Sequence, residues 1–393
     1  MTEVAVVDTV THDHILNLSE AESDTAETLR ALFRRRGYVA GDKVNVMPED
    51  VDTLLACFNT EEAKGHVRKQ IGGTGPNMAR MMAGLIHGAR RANGNCECKG
   101  CKPVVEVYTA FDRQSLPPIR RDFRRNGILI SSRDDAAGAV SLIVENPYGD
   151  GNRIIAKLPV DLGKSLGRIP PHFAEKAAVQ LVIGEGAFKV GTGVIEQQRL
   201  LAQSHGHPLW MTLPTTVKNE KKPEAVAAMQ KYFREKMENP DQNADLILSN
   251  LEELAAVVGQ EGVASLPVVF KIFNKTPHRN RLAFVTDDVR GAFIVTADRI
   301  AYCPQPNVEL HPVGKTGAGD ATLAAFFTAY HLGMSPMDSA KFAMRMGNIK
   351  VQHKPSSLSC PFELLVKKDP AMANRFRFAL RKWERNHRCA CQM

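Results

Sequence analysis

Apolar positions along this chain follow two periods, and their order predicts the architecture. Val4-Ala5-Val6-Val7 is a short unbroken apolar run, the pattern of a strand buried on both faces. Helical spacing follows near residues 26–36 and 49–58. It returns between Asn77 and Ile86, where Met78, Met81, Met82 and Leu85 share one face. Val104-Val105-Glu106-Val107-Tyr108 predicts another strand. Residues 139–144 and 152–158 flank Pro147-Tyr148-Gly149-Asp150-Gly151, a hairpin pattern with strong turn residues. From Val179 onward strands near 180–183, 209–213, 244–248 and 281–286 alternate with helices. This implies an α/β fold with a mostly parallel central sheet covered by helices. Ligands in such sheets bind beyond the carboxyl ends of the strands, the edge on which Asn250, Thr286 and Asp320 fall. Leu323, Phe326, Phe327 and Tyr330 then recur at helical spacing, anchoring one helix face in a core, and Gly333 is a stop.

The richest chemistry lies just before that last helix, in Gly314-Lys315-Thr316-Gly317-Ala318-Gly319-Asp320. Small residues let main-chain N–H groups converge where a helix begins, and such a turn attracts anions. Asp320 falls in the first helical turn, where the macrodipole favours its charged form. An anion nest beside a fixed carboxylate is what phosphoryl transfer to a hydroxyl needs: the nest steadies the moving group and the carboxylate accepts the proton. Two other phosphate motifs are excluded. A Walker A loop needs Gly where Glu309 stands, and Gly72-Gly73-Thr74-Gly75-Pro76-Asn77 leads to Met78 where G-x-G-x-x-G needs Gly.

Composition changes this picture little. The chain has 393 residues, 44% hydrophobic and 24% charged, as expected of a globular protein with a substantial core. No apolar run has the length of a membrane span and no signal-peptide pattern opens the chain, so a cytoplasmic location with its eight cysteines unpaired is expected. The net charge of +8 gathers at residues 120–125 and 375–388. No recognised nucleic-acid module accompanies it, which favours solvated helix faces and attraction for anionic substrates over nucleic-acid binding. Cys96, Cys98 and Cys101 could join Cys389, Cys391 and His387 around zinc. Their spacing is not that of a finger, and a reduced exposed loop is the preferred reading.

Taken together, the motifs resemble those of the ribokinase/PfkB family of carbohydrate and nucleoside kinases. Gly317-Ala318-Gly319-Asp320 looks like the family's signature, Gly72-Gly73-x-x-x-Asn77 its acceptor motif, and Asn250-Leu251-Glu252-Glu253 its Asn-x-x-Glu motif. Val285-Thr286 with Gly291-Ala292 is similar to its nucleotide-contacting strand and turn, and Asp13 falls where an aspartate holds the acceptor's hydroxyls. Within the family the inosine-guanosine kinase type looks closest, through residues 208–216, 245–250 and 347–355.

The resemblance implies a single three-layer α/β/α domain over the whole chain, with a small β lid drawn from about 8–18 and 139–160 and a basic tail from 362 to 393. It implies ATP and magnesium as cofactors, and a nucleoside or sugar as acceptor. Asp320 would be the general base and the amides of Gly317, Ala318 and Gly319 the anion hole. Asp13, Gly72, Gly73 and Asn77 would hold the acceptor. Asn250, Glu253, Thr286, Gly291, Lys315 and Asn348 would serve the nucleotide, with Glu253 reaching magnesium through water. Two copies could pair through the lid, while membrane and nucleic-acid partners are not expected. Alternatives are a sugar kinase of the same family, with Arg80, Arg113 or Arg153 available for a substrate phosphate, and a non-catalytic nucleotide-binding regulator. Three departures stand out. Gly314-Lys315 occupies the place of a common Asp-Thr whose Asp helps hold a monovalent cation, so the Lys315 ammonium would add positive charge there instead. Asp8 and Asp288 stand where Gly is usual.

Overall fold

In a computed structural model of the chain, the described residues are 4–8, 11–39, 41, 43–94, 105–110, 116–133, 139–149, 153–158, 173, 179–182, 202, 206, 208–213, 223–238, 244–275, 281–306, 317–353 and 358–388. The first apolar run is β1 (Val4–Val7), and it lies inside a nine-stranded sheet. It pairs in parallel with β5 (Val105–Ala110) on one side and β9 (Val179–Val182) on the other. Outside β5 lies β6 (Ile128–Arg133). Beyond β9 come β10 (Leu209–Thr212), β11 (Leu246–Asn250) and β12 (Leu282–Asp287), all parallel. Only β13 (Gly291–Thr296) and β14 (Ile300–Pro304) run antiparallel, closing one edge. The chain steps outward from β1 through β5 and β6, then crosses back and steps the other way from β9. This puts a topological switch point between β1 and β9.

Each strand feeds two cores, as alternation requires. Val4, Val6, Leu246, Leu248, Leu282 and Phe284 point into one; Ala5, Ile247, Ala283 and Val285 into the other. The first core is covered by α3 (Thr74–Ala92), α8 (Ala318–His331) and α9 (Pro336–Val351). The second is covered by α5 (Pro223–Glu238), α6 (Leu251–Val258) and α7 (Ser265–Asn274). The helix expected to bury one face, α8, is instead buried from Ala321 to Ala329 on all sides, with Phe326 stacked on Phe284 at 4.0 Å. Its small residues, Ala324, Ala325 and Ala329, let the sheet, α3 and α9 all approach.

The lid is larger than the expected two segments. Five strands, in the order β3 (Lys43–Asn45), β8 (Arg153–Lys157), β7 (Ala139–Glu145), β2 (Thr11–Asn17) and β4 (Val67–Gly72), form a separate sheet. One of its faces packs Leu16, Leu142, Val144 and Ile154 against Leu29 and Phe33 of α1 (Ser23–Arg36) and Leu54 and Phe58 of α2 (Val51–Ala63). The alternate residues, Ile15, Ile143 and Ile155, cluster on the other face.

The segment read as a basic tail is built into the fold as two helices, α10 (Pro361–Lys368) and α11 (Pro370–Arg388). Phe362, Leu365, Phe376 and Leu380 belong to the main core, and Phe342 stacks on Phe376 at 4.8 Å. Arg90 Nε donates to Glu384 at 2.8 Å, tying α11 to α3. The basic residues Arg375, Arg381, Lys382 and Arg385 occupy its exposed side, while α4 (Leu116–Arg125) exposes Arg120, Arg121, Arg124 and Arg125. No single helix among the described residues is long and apolar enough to cross a membrane. The described cysteines, Cys57, Cys303 and Cys360, are thiols; Cys96, Cys98, Cys101, Cys389 and Cys391 lie outside the described residues.

Candidate active site

A cleft opens where the carboxyl ends of β1, β10, β11 and β12 face the lid, lined there by Asp8, Thr212, Asn250 and Thr286. Three helices begin at its wall: α3 with Gly73 and Thr74, α6 with Asn250 and Glu253, and α8 with Gly317, Gly319 and Asp320. Each contributes N–H groups that no helical carbonyl takes and the positive end of its dipole. Such ends attract anions, and protein carboxylates already meet two of them, Asp8 at α3 and Glu253 at α6.

Asp320 sits in the first turn of α8, after Gly317 has turned the chain in the left-handed conformation (φ 73°). Asn77 Nδ2 donates to Asp320 Oδ2 at 2.8 Å, so the acceptor motif and the signature meet across 243 residues of sequence. Asn77 Oδ1 is buried and has no hydrogen-bond partner among the described residues, an acceptor in the cleft wall that suits a hydroxyl donor.

Asp13, 6% exposed, lies on the cleft face of β2. Burial raises its pKa from 3.8 to about 6, against the hydrogen bonds of Thr11 Oγ1 (2.9 Å) and Gln70 Nε2 (3.5 Å) and the charges of Lys157 and Arg153. Gly72, opposite Thr11 on β4, leaves room for this carboxylate, since a Cβ there would overlap it as it stands. Asp8, unexpected at the end of β1, accepts from Gly75 N–H at 2.6 Å and so occupies the N-terminal turn of α3. Its acidity therefore serves the helix from which Asn77 projects.

Asn250 and Glu253 form a capping box on α6: Asn250 Oδ1 accepts from Glu253 N–H at 2.7 Å, and Glu253 Oε2 accepts from Asn250 N–H at 3.1 Å. Both side chains also line the cleft. Thr286 Oγ1 donates to Ser249 O at 3.4 Å beside them.

The remaining expected site residues stand elsewhere. Gly72 and Ala318 adjoin the cleft-lining residues Gly73 and Gly319 without being among them. Gly291 (φ 143°) begins β13, where a Cβ would overlap the Cys303 carbonyl, so its identity is set by sheet packing. Gly291→Ala is expected to lower the thermal midpoint by several degrees, at a cost of about 1–3 kcal/mol for a forced backbone. Asn348, 3% exposed on α9, accepts from Gln305 and lies outside the cleft lining. Asp288 is exposed in the β12–β13 turn with φ 45°, a left-handed position that Asp tolerates, which explains a residue where Gly was expected. Lys315, with Gly314, lies outside the described residues, as does Arg113. Arg80 is engaged by Asp122 (Nη2 to Oδ2, 2.6 Å) and the Ile71 carbonyl.

Of the lid's cations only Arg153 was singled out by the sequence. Lys43, Arg153 and Lys157 all line the cleft, and the register places them around Ile155 on one face of β3 and β8. Burial and the charge of Lys43 lower the Lys157 pKa from 10.5 to about 7, opposed by Asp8, Asp13 and Asp320. Burial also lowers that of Arg153, opposed first by Asp320. The available signal was charge at alternate positions, Arg153-x-Ile155-x-Lys157, on a strand whose other face is wholly apolar.

Residues 190–362 match the pfkB family of carbohydrate kinases. This part of the chain is a PfkB-family kinase domain. That makes it a phosphotransferase, and its fold is ribokinase-like: a probable sugar kinase from Rhizobium etli superposes with a TM-score of 0.68 at 18% identity, over 94% of this chain and 99% of its own. A Burkholderia thailandensis nucleoside kinase in complex with inosine gives 0.60 at 15% identity, over 94% and 98%. An E. coli protein in complex with ATP and Mg2+ gives 0.60 at 11%, over 94% and 100%. Comparison with curated proteins gives no match. The family match spans β10 to α9, with the capping-box pair and the α8 signature, while the lid and Asn77 lie outside it.

Proposed function

We propose that this PfkB-family protein transfers the γ-phosphoryl group of ATP to a primary hydroxyl of a nucleoside of the inosine, guanosine or adenosine type. One observation carries the reading: three helix N-termini surround a cleft in which Asp320 is hydrogen-bonded to Asn77, whose own oxygen has no partner among the described residues.

The chemistry follows from those groups. Main-chain N–H donors at Gly317–Gly319 steady charge on the phosphoryl group as it moves, in a site where little solvent reorganisation is needed. Asp320 accepts the proton of the attacking 5′-hydroxyl. Asp13, Gly73 and Asn77 hold the acceptor's other hydroxyls, making attack effectively intramolecular. Asn250 and Glu253 suit a hydrated magnesium ion, whose preference for water and phosphate oxygens fits a sparse protein ligand set. When bound, the ion would supply positive charge to the donor's phosphates. The lid, through Arg153 and Lys157, adds cations from the opposite wall and closes to exclude competing water.

A second reading, a sugar phosphate as acceptor, is favoured by one feature: Arg153 faces the cleft beside Lys157 and Lys43. Incubating the protein with labelled ATP and a panel of nucleosides, sugars and sugar phosphates tests both. Labelled nucleoside 5′-phosphate is expected. Transfer to a sugar phosphate alone selects the second reading, and no transfer to any acceptor removes both.

Asp13 gives the site a pH dependence. Its folded pKa, about 6, lies above its ordinary 3.8, so the folded state binds this proton more tightly than the unfolded chain does. The resulting stabilisation is full below about pH 3.8 and is lost as pH rises through about 6. Denaturant titrations across that window should show a smaller fall in stability for Asp13→Asn than for wild type. Acceptor affinity should move oppositely, strengthening as Asp13 ionises and becomes a pure hydrogen-bond acceptor.

A further inference from the structure

The phosphotransfer scheme leaves Lys350 without a task, yet its burial is complete. It is the one lysine among the buried polar residues of the described chain. An ammonium in a protein interior is costly unless other groups compensate it, and an apolar side chain of the same length would fill the same space more cheaply. Lys350 lies in the last turn of α9, and its Nζ donates to the His353 carbonyl at 3.1 Å. The helix end is itself braced, with His353 Nδ1 2.8 Å from the Ile349 carbonyl.

What α9 packs against gives the charge a direction. One turn before Lys350, Gly347 leaves no room for a Cβ because Thr322 Oγ1 occupies that space. Thr322 in turn donates to the Ala318 carbonyl at 2.8 Å, two residues before Asp320. The end of α9 is thus pressed against the first turn of α8, the turn that carries the reactive carboxylate. Among the described residues two charged groups act on the ammonium through space: Arg153 of the lid strand β8, which opposes its charged form, and Asp320 of α8, which favours it. Burial is the larger influence and brings the Lys350 pKa from 10.5 to about 8, so the group is mainly cationic at neutral pH.

We propose that Lys350 is a positioning residue for phosphotransfer, a fixed counter-charge behind the first turn of α8 that keeps the Asp320 carboxylate in working orientation and offsets anionic charge as the phosphoryl group moves. The proposal rests on the kinase reading of the cleft. It differs from a packing role because a cation in a low-dielectric interior acts over several ångströms without touching the substrate. Such a charge changes the reacting complex more than the ground-state complex, so its loss should fall on kcat rather than on KM.

The test uses the full-length protein. Lys350→Met keeps the length and apolar stem and removes the charge. We expect kcat to fall about thirtyfold to three-hundredfold, in the range of lost preorganised charge, with acceptor KM within about threefold of wild type. In Lys350→Ala, added methylammonium should restore part of kcat at unchanged protein concentration. A Lys350→Met protein that folds and retains kcat within about twofold overturns the proposal. Should that variant not fold, NMR of lysine-labelled protein decides: the Lys350 ammonium should titrate at lower pH in Asp320→Asn than in wild type. An unchanged titration overturns the proposal. The titration needs no turnover, so it remains decisive even if wild type phosphorylates no acceptor, an outcome that instead removes the kinase reading.

Discussion

Asp320→Asn should lower kcat by roughly two to four orders of magnitude, the usual worth of a general base, while the protein stays folded. The substitution keeps the shape of the side chain and leaves it an oxygen for the Asn77 amide, which now donates at 2.8 Å. What it removes is the ability to accept a proton from the attacking hydroxyl. The helix itself has no need of the carboxylate, since Leu323, Phe326 and Phe327 are buried around it and Phe326 stacks on Phe284. Thermal midpoints of the two proteins should agree within a few degrees, and the acceptor's KM should change far less than kcat. A variant with wild-type turnover would remove Asp320 from the chemistry.

Gly72→Ala should raise acceptor KM by about tenfold or more, equivalent to about 1.4 kcal/mol of lost binding. The backbone at Gly72 has ordinary strand geometry, and it pairs with Thr11 in the lid sheet, so alanine does not strain the chain there. Its Cβ would fall on the Asp13 carboxylate, which must rotate away and lose the Thr11 and Gln70 hydrogen bonds. A short side-chain end moves more readily than backbone, so the damage should be to substrate binding rather than to folding. Initial rates against acceptor concentration, with circular dichroism as the control for fold, measure this. An unchanged KM would mean that Asp13 does not hold the acceptor.

How far the sequence disclosed this architecture depends on how local each signal was. The strands around β1 and β9 to β12 were readable because unbroken apolar runs between helices have few other uses. Asn77 and Asp320 were readable as separate motifs. That they meet in one hydrogen bond was not, because α3 and α8 are joined by packing rather than by sequence. β3 and β4 escaped notice because Lys43–Asn45 is three residues long and Val67-Arg68-Lys69-Gln70 shows no clean alternation. Charge concealed the rest. Arg153 was readable as a candidate partner for a substrate phosphate, while Lys157 beside it on the cleft face was not. In α11 the arginines and lysines drew attention from Phe376, Ala379 and Leu380, which seat that helix in the core. Lys350 falls in the 347–355 stretch of the resemblance, but its burial was not readable there, because it arises from the close packing of α9 on α8.

The most direct test is a crystal structure of the protein with an acceptor nucleoside and a non-hydrolysable ATP analogue. The acceptor's primary hydroxyl should lie within hydrogen-bond distance of an Asp320 carboxylate oxygen, the terminal phosphate against the Gly317–Gly319 amides, and the other hydroxyls on Asp13 and Asn77. A ternary complex with the hydroxyl remote from Asp320, or with the phosphates away from the start of α8, would contradict the proposed mechanism.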